Sequence, residues 1–291
     1  MKYLLTTIVI IVGFASNAQQ ESYFNQFWNN QTHFNPAFAG LEHRIQAGAQ
    51  YRNQWTELNG ATEDFYAFYN MRLRDNWGIG LQAQYGTIGF NTDFQVFAPA
   101  SYRLQWKENN TLAFGAALGL NHLTIDGTFI PPETGNDPSI PTSGSTQYLS
   151  GQTGVAFTNR KFTCGISVRS IELAHLRGDN GFDPVPHYYG MMQYKMNFKE
   201  LTAQPLSIFL EANGGTDAVE YFLQTNVRVF YKNQFSVFGG YDWSNGIMAG
   251  GGYDLLEKFR LHYCITFINN PLQPVTNYTH ELAFVYRLRN E

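Results

Sequence analysis

From residue 42 onward the chain alternates between apolar and polar residues at every second position. In the stretch around residue 48, His43, Ile45, Ala47, Ala49, Tyr51 and Trp55 share one face, and Arg44, Gln46, Gln50, Arg52 and Gln54 share the other. Around residue 80, Trp77, Ile79, Leu81, Ala83 and Tyr85 alternate with Gly78, Gly80, Gln82 and Gln84. The same rhythm returns in Val219, Tyr221, Leu223, Val227 and Val229 against Glu220, Gln224, Asn226 and Arg228, and in Leu282, Phe284, Tyr286 and Leu288 against Glu281, Arg287 and Arg289. A helix would scatter these sets around its circumference, whereas a strand collects each set on one face. These segments are strands.

About fourteen such segments of roughly ten residues fit between the turn signals. Their centres fall near residues 48, 67, 82, 99, 116, 152, 166, 193, 208, 225, 238, 250, 263 and 283. Every second connection is a short polar turn: Arg74-Asp75-Asn76, Lys107 to Asn110, Asn159-Arg160-Lys161, the stretch around Lys199, Tyr231 to Gln234, and Glu257-Lys258. The two longest connections, about 125–146 and 172–186, fall in the other set, and Pro131, Pro132, Pro138, Pro141, Pro184 and Pro186 keep them out of the ladder. Short turns at one end and long loops at the other are what an outer-membrane β-barrel has, and an even strand count returns both ends of the wall to the periplasm. A secreted β-sandwich has no reason to sort its loops by parity. The expected fold is an all-β, transmembrane, antiparallel outer-membrane barrel of about 14 strands over residues 42–291.

Composition agrees. Charged residues make up 14% of the chain, against roughly 25% in typical globular proteins. Aromatics reach 16%, yet mean hydropathy is only −0.29. A barrel wall reconciles these values, with apolar residues toward lipid, polar residues toward the lumen, and Tyr and Trp in interfacial girdles. A net charge of −4 offers no basic stripe for nucleic acid.

Ahead of the wall, Met1-Lys2, the apolar run Leu4 to Phe14 and Ser16-Asn17-Ala18 have the layout of a signal peptide over residues 1–18. The alternative, an anchoring helix, needs about 20 apolar residues. Residues 19–41 lack clean alternation and form a periplasmic or lumen-plugging segment in this reading. Cys164 alternates with Phe162, Ile166 and Val168, but Cys264 alternates with Arg260, His262 and Thr266. One faces lipid and the other the lumen, so two free thiols are expected.

Sites for chemistry are few. The seven histidines show no metal-ligand spacing, and no cofactor or metal is expected. Gly115 and Gly119 form a G-x-x-x-G, which on a strand marks thin lumen-side positions beside Ala117 rather than a helix dimer. Asp179, Asn180 and Asp183 read as solvated loop residues, with calcium binding the alternative. No G-x-S-x-G elbow occurs, and no exterior Ser-His pair is nominated. Arg44, Arg52, Glu220, Arg228, Arg287 and Arg289 either line a path for substrate or pair with one another and with Gln and Asn to fill the lumen.

Three motifs carry a family resemblance. The stretch Phe24 to Asn30, followed by His33-Phe34-Asn35-Pro36-Ala37-Phe38-Ala39-Gly40, ends in N-P-A-x-x-G. Tyr51-Arg52-Asn53-Gln54-Trp55 gives Y-R-x-Q-W, and His280-Glu281 opens the last strand. Together they resemble the PorP/SprF family of type IX secretion system outer-membrane proteins over the whole mature chain. The resemblance implies a non-enzymatic outer-membrane barrel that aids export or cell-surface retention of specific cargo proteins such as gliding adhesins. Its implied partners are outer-membrane lipid, the cargo, and accessory periplasmic or outer-membrane secretion components. The competing readings are a porin-like small-solute channel and a lipid-acting enzyme. Barrel proteins often finish on an aromatic residue, but this chain ends Arg289-Asn290-Glu291, and Tyr286 is the residue to take that part. Among the motif residues, Asn35, Pro36 and Gly40 are expected to set the entry into the first strand. Arg52 and Gln54 point into the lumen, and Tyr51 and Trp55 join an outer girdle. The alternative gives Arg52 and residues 24–40 the surface that meets a secretion partner.

Overall fold

The computed structural model describes residues 23–107, 109–126, 143–178, 184–198, 206–217 and 221–288. The segment 1–18, the prolines from Pro131 to Pro141, Asp179, Asn180, Asp183, Lys199, Val219, Glu220 and Arg289 lie outside the described residues.

Fourteen strands form a closed barrel. They are β1 (Ile45–Gln54), β2 (Thr62–Arg72), β3 (Trp77–Ile88), β4 (Asn91–Trp106), β5 (Asn110–Ile125), β6 (Gly144–Thr158) and β7 (Phe162–Arg177). The second half comprises β8 (His187–Asn197), β9 (Leu206–Thr216), β10 (Tyr221–Tyr231), β11 (Phe235–Asp242), β12 (Gly246–Leu255), β13 (Phe259–Ile268) and β14 (Tyr278–Leu288). Each strand pairs antiparallel with its chain neighbours, and β1 closes on β14 in register from Ile45 opposite Leu288 to Asn53 opposite His280. Every strand centre read from the alternation falls inside a strand. Several strands exceed ten residues, with β4, β5 and β7 reaching 16.

The alternation sorts residues as the wall requires. On β3, Gly78, Gln82 and Gln84 are buried, while Trp77, Ile79, Leu81 and Tyr85 are exposed. Ile166 on β7 leaves 70% of its surface uncovered. In a closed barrel, large apolar side chains exposed in this way on strand after strand make the coat that lipid covers. Aromatics ring both ends of it: Trp77, Trp106 and Tyr231 at the turn end, Tyr51, Tyr85 and Tyr278 at the loop end.

Tight turns close the end at which β1 begins. Lys232-Asn233 and Leu256-Glu257 each place two consecutive non-glycine residues at positive φ, between 54° and 57°, the backbone hand that matches the twist of paired strands. Loop sorting is not absolute. The β8–β9 connection at this end spans 198–205, while β3 and β4 are joined at the other end by residues 89–90 alone. The longest connection, 126–143, does lie at the loop end. Arg44, which the alternation assigns to the lumen, is exposed and precedes β1. Both cysteines are free; Cys264 is buried on the lumen side and Cys164 is half-buried on the outer face.

Candidate functional site

Residues 23–41 lie inside the barrel, and all of them are buried. They form a 3-10 turn at Phe27–Asn29, one α-helical turn at Gln31–Phe34 and a second 3-10 turn at Pro36–Phe38. Tyr23 is near the loop end, bonded to Asp242 and Asn245. The chain descends to Trp28 and Asn29, crosses the lumen at Thr32 and His33, and reaches the turn end at Leu41 before entering β1. Apolar packing holds it: Tyr23 stacks on Phe222 at 4.1 Å, Trp28 meets Phe238 at 4.9 Å edge-on, and Phe34 meets Tyr189 at 5.5 Å.

This stretch contains no Asp, Glu, Lys or Arg, so charge-assisted bonds to its polar groups come from the wall. Arg52 donates to the Tyr23 carbonyl, and Arg260 to the Asn29 side-chain oxygen at 2.9 Å. Arg169 donates to the His33 carbonyl at 3.0 Å. Arg72 and Arg103 converge on the Gly40 carbonyl at 3.3 and 2.8 Å. Each such bond is worth about 1.5–3 kcal/mol, more than a neutral one. Neutral bonds add to these from Asn70 and Gln82 to Thr32, from Ser101 to the Ala39 carbonyl and from Gln224 to Asn25.

The firmest grip is at the seam where the barrel closes. Arg52 on β1 stands opposite Glu281 on β14 and, on its other side, opposite Asp64 on β2. The two Glu281 carboxylate oxygens accept the backbone N–H groups of Asn25 at 2.8 Å and Gln26 at 2.9 Å. The Arg52 guanidinium lies 4.7 Å above the Tyr23 ring. Gln54 donates to Asn245, whose amide bonds the Tyr23 hydroxyl and Asp242. The neighbouring motif residues face away: Tyr51 is exposed, and the His280 ring bonds the Tyr263 hydroxyl at 2.6 Å on the outer surface. Trp55 is half-buried at φ +59°, where the chain leaves β1, with its backbone N–H donating to the Thr279 hydroxyl.

The N-P-A-x-x-G stretch docks on the opposite wall. Asn35 accepts the Ala37 N–H, starting the second 3-10 turn with Pro36 in its first position. Its amide donates to the carbonyls of Val155 on β6 and Ile166 on β7 at 3.0 and 3.1 Å. The wall is thinned to receive it: a Cβ on Gly154 or Gly165 would collide with Asn35, one on Gly115 with Pro36 and Ala37, and one on Gly78 with Ala39. Gly40 adopts φ +60° and turns the chain toward β1.

Near the turn end lies a second charged cluster; sequence reasoning placed Arg228, Arg260 and Arg287 on the lumen side but missed its acids, Glu211 and Asp254. Arg228 pairs with Glu211 at 2.7 Å, and its guanidinium lies 4.9 Å from the Trp28 ring and 4.3 Å from that of Phe209. Asp254 takes Arg260 at 3.0 Å and also Arg287. Asp254 and Arg260 face each other across the β12–β13 turn, a hairpin pairing that Asp254-Leu255-Leu256-Glu257-Lys258-Phe259-Arg260 carries in its order. Thus Arg52, Arg228 and Arg287 all face the lumen, where Arg228 and Arg287 are ion-paired and Arg52 bonds the Tyr23 carbonyl, whereas Arg44 does not join them.

Ser236 and Asp254 both approach Nε2 of His262, at 3.0 and 3.5 Å. A hydrolytic triad needs the acid on the other ring nitrogen. All three groups are buried on the lumen side, away from the exterior face that a lipid-acting pair would use.

Among solved structures, the CymD monoaromatic hydrocarbon channel matches with a TM-score of 0.54 at 11% identity, over 93% of this chain and 95% of its own. A FadL homologue from Pseudomonas aeruginosa matches with a TM-score of 0.51 at 11% identity, over 88% and 93%. At such identities the likeness is one of fold alone. No curated protein matches. The model of one protein family, described as type IX secretion system membrane protein PorP/SprF, matches residues 16–286.

Proposed function

Since this outer-membrane barrel belongs to the PorP/SprF family of type IX secretion system membrane proteins, we propose that it serves secretion as a non-enzymatic docking partner, aiding the export or surface retention of particular cargo proteins. The observation that carries this reading is the occupied lumen. Residues 23–41 bond to side chains or main-chain carbonyls of β1–β4, β6, β7, β10, β11, β13 and β14. A solute path would have to displace that network, leaving buried arginines and a carboxylate without their partners. Each such charge-assisted bond is worth about 1.5–3 kcal/mol. A filled barrel offers its partners surfaces: the loop end with Tyr23 beneath it, and the rim of turns on the periplasmic side.

In this reading the motif residues act indirectly. Arg52 and Glu281 fix the lumen segment to the closing seam. Asn35, Pro36 and Gly40 fix it to the opposite wall, and Gln54 ties it to the β11–β12 loop. Tyr51, Trp55 and His280 belong to the outer face and its rim, where they set the depth of the barrel in lipid.

The test compares the surface and secreted proteomes of a strain lacking this gene with those of its parent. Loss of one or two large surface proteins is the expected result and identifies the cargo. Loss of all type IX cargo would assign the barrel to the core machinery. An unchanged proteome would overturn the reading in favour of small-solute transport.

A further inference from the structure

At the periplasmic end the lumen segment stops short of the rim. Below Trp28 and Gln31 a cavity of about 280 Å³ opens between the β6–β7, β10–β11 and β12–β13 turns. Its basic side chains are Arg160, Lys161, Lys195, Arg228, Arg260 and Arg287; its acidic ones are Glu42, Asp254 and Glu257. Glu211, which holds Arg228, adds a fourth carboxylate, so the excess is two positive charges, and it is built in. Arg228 is held by Glu211 and by the faces of Trp28 and Phe209, and Arg260 by Asp254 and the Phe230 ring. Both guanidiniums are therefore fixed before any ligand arrives. Such preorganisation lowers the cost of binding.

We infer that this vestibule receives an acidic, extended peptide segment of a periplasmic protein. The inference rests on the docking role proposed above and names the partner's chemistry. Four properties of the cavity select that ligand. The closed wall of strands separates it from the bilayer, so its ligand arrives from the periplasm and is not a lipid headgroup entering sideways. Its volume lies just below the range of small-ligand pockets, about 300–1,000 Å³, which suits a short anchoring stretch and excludes a folded domain. Gln46, Gln193, Ser207 and Thr158 line it between the charges and suit backbone amides. Arg228 and Arg260 already bond Glu211, Asp254 and Asn29, so they set the field at depth, while the ligand carboxylates would be met by Lys161 and Lys195 toward the rim, where charge also steers encounter.

The experiment uses the full-length barrel in detergent and a short fluorescein-labelled peptide of alternating glutamate and serine, with a glutamine-serine counterpart. Fluorescence anisotropy should give at least about tenfold tighter binding of the glutamate peptide, a difference of ~1.4 kcal/mol, weakening as salt screens the charges. The doubly substituted Lys161→Glu, Lys195→Glu protein should lose that preference while keeping the heat-modifiable folded band on gels, since both residues lie at the rim. Equal binding of the two peptides, or an unchanged preference in a folded double variant, would overturn the inference. Complete displacement of the peptide by inorganic phosphate at equal concentration would also overturn it, marking a small-anion site instead. The docking role fails separately: an unchanged proteome in the deletion strain counts against that role whatever the peptide does, and a lost cargo with no peptide preference leaves it standing without this vestibule.

Discussion

Arg52 and Glu281 stand opposite one another on the first and last strands and together hold the backbone of Tyr23, Asn25 and Gln26. Closure of the barrel and placement of the lumen segment thus depend on the same two residues. A chain whose β1 and β14 have not met cannot present both groups to that backbone.

Glu281→Ala removes the acceptor for two buried N–H groups and leaves Arg52 opposite a methyl group. The expected destabilisation is about 3–5 kcal/mol, read as a lower temperature for loss of the compact band on gels. Glu281→Gln keeps one acceptor oxygen and should fall between Ala and the native protein. In a double-mutant cycle with Arg52→Ala, the paired variant should lose less than the sum of the single ones.

Gly78→Ala and Gly115→Ala place a methyl group against the backbone of Ala39 and of Pro36-Ala37. The N-P-A-x-x-G stretch should lift from its wall, and a protease added to the detergent-solubilised barrel should cut within residues 23–41. Gly190→Ala is the control, since a Cβ there meets no atom within 4 Å. Equal protection in all three would show that this wall does not seat the segment.

Asp254 serves Arg260, Arg287 and His262 from one carboxylate. Asp254→Asn should destabilise the barrel by about 3–5 kcal/mol, again seen as earlier loss of the compact band. Arg287→Met should cost less, because Arg260 continues to satisfy the carboxylate.

Arg52→Lys tests shape rather than charge. Lysine keeps the positive charge beside Glu281 but lacks the planar fork that bonds the Tyr23 carbonyl while covering its ring. The folded band should form at a reduced yield, between the native protein and Arg52→Ala.

The wall was legible in the sequence because alternation is local. Leu81 and Gln82 declare opposite faces without reference to any other strand. Local rhythm fails where the backbone departs from it. At the β6–β7 register shift beside Ser170, at φ +60°, Arg169 and Ser170 are both buried, so the period breaks there. Residues 23–41 are built from single helical turns, and no period marks a segment whose burial comes from a surrounding wall. Their lack of charge was the available sign. The partners of Arg169, which include His33, Gln84 and Gln95, are brought together only when the barrel closes. Asp254 and Arg260, by contrast, are paired by one tight turn and could have been found from the hairpin alone.

The most direct measurement is the ion conductance of the purified barrel in planar lipid bilayers. With residues 23–41 seated between Arg52, Glu281 and the glycine-lined wall, the native protein should insert without opening steady pores, and Gly115→Ala should conduct. Steady, ohmic conductance from the native barrel would contradict a filled lumen and favour a solute channel.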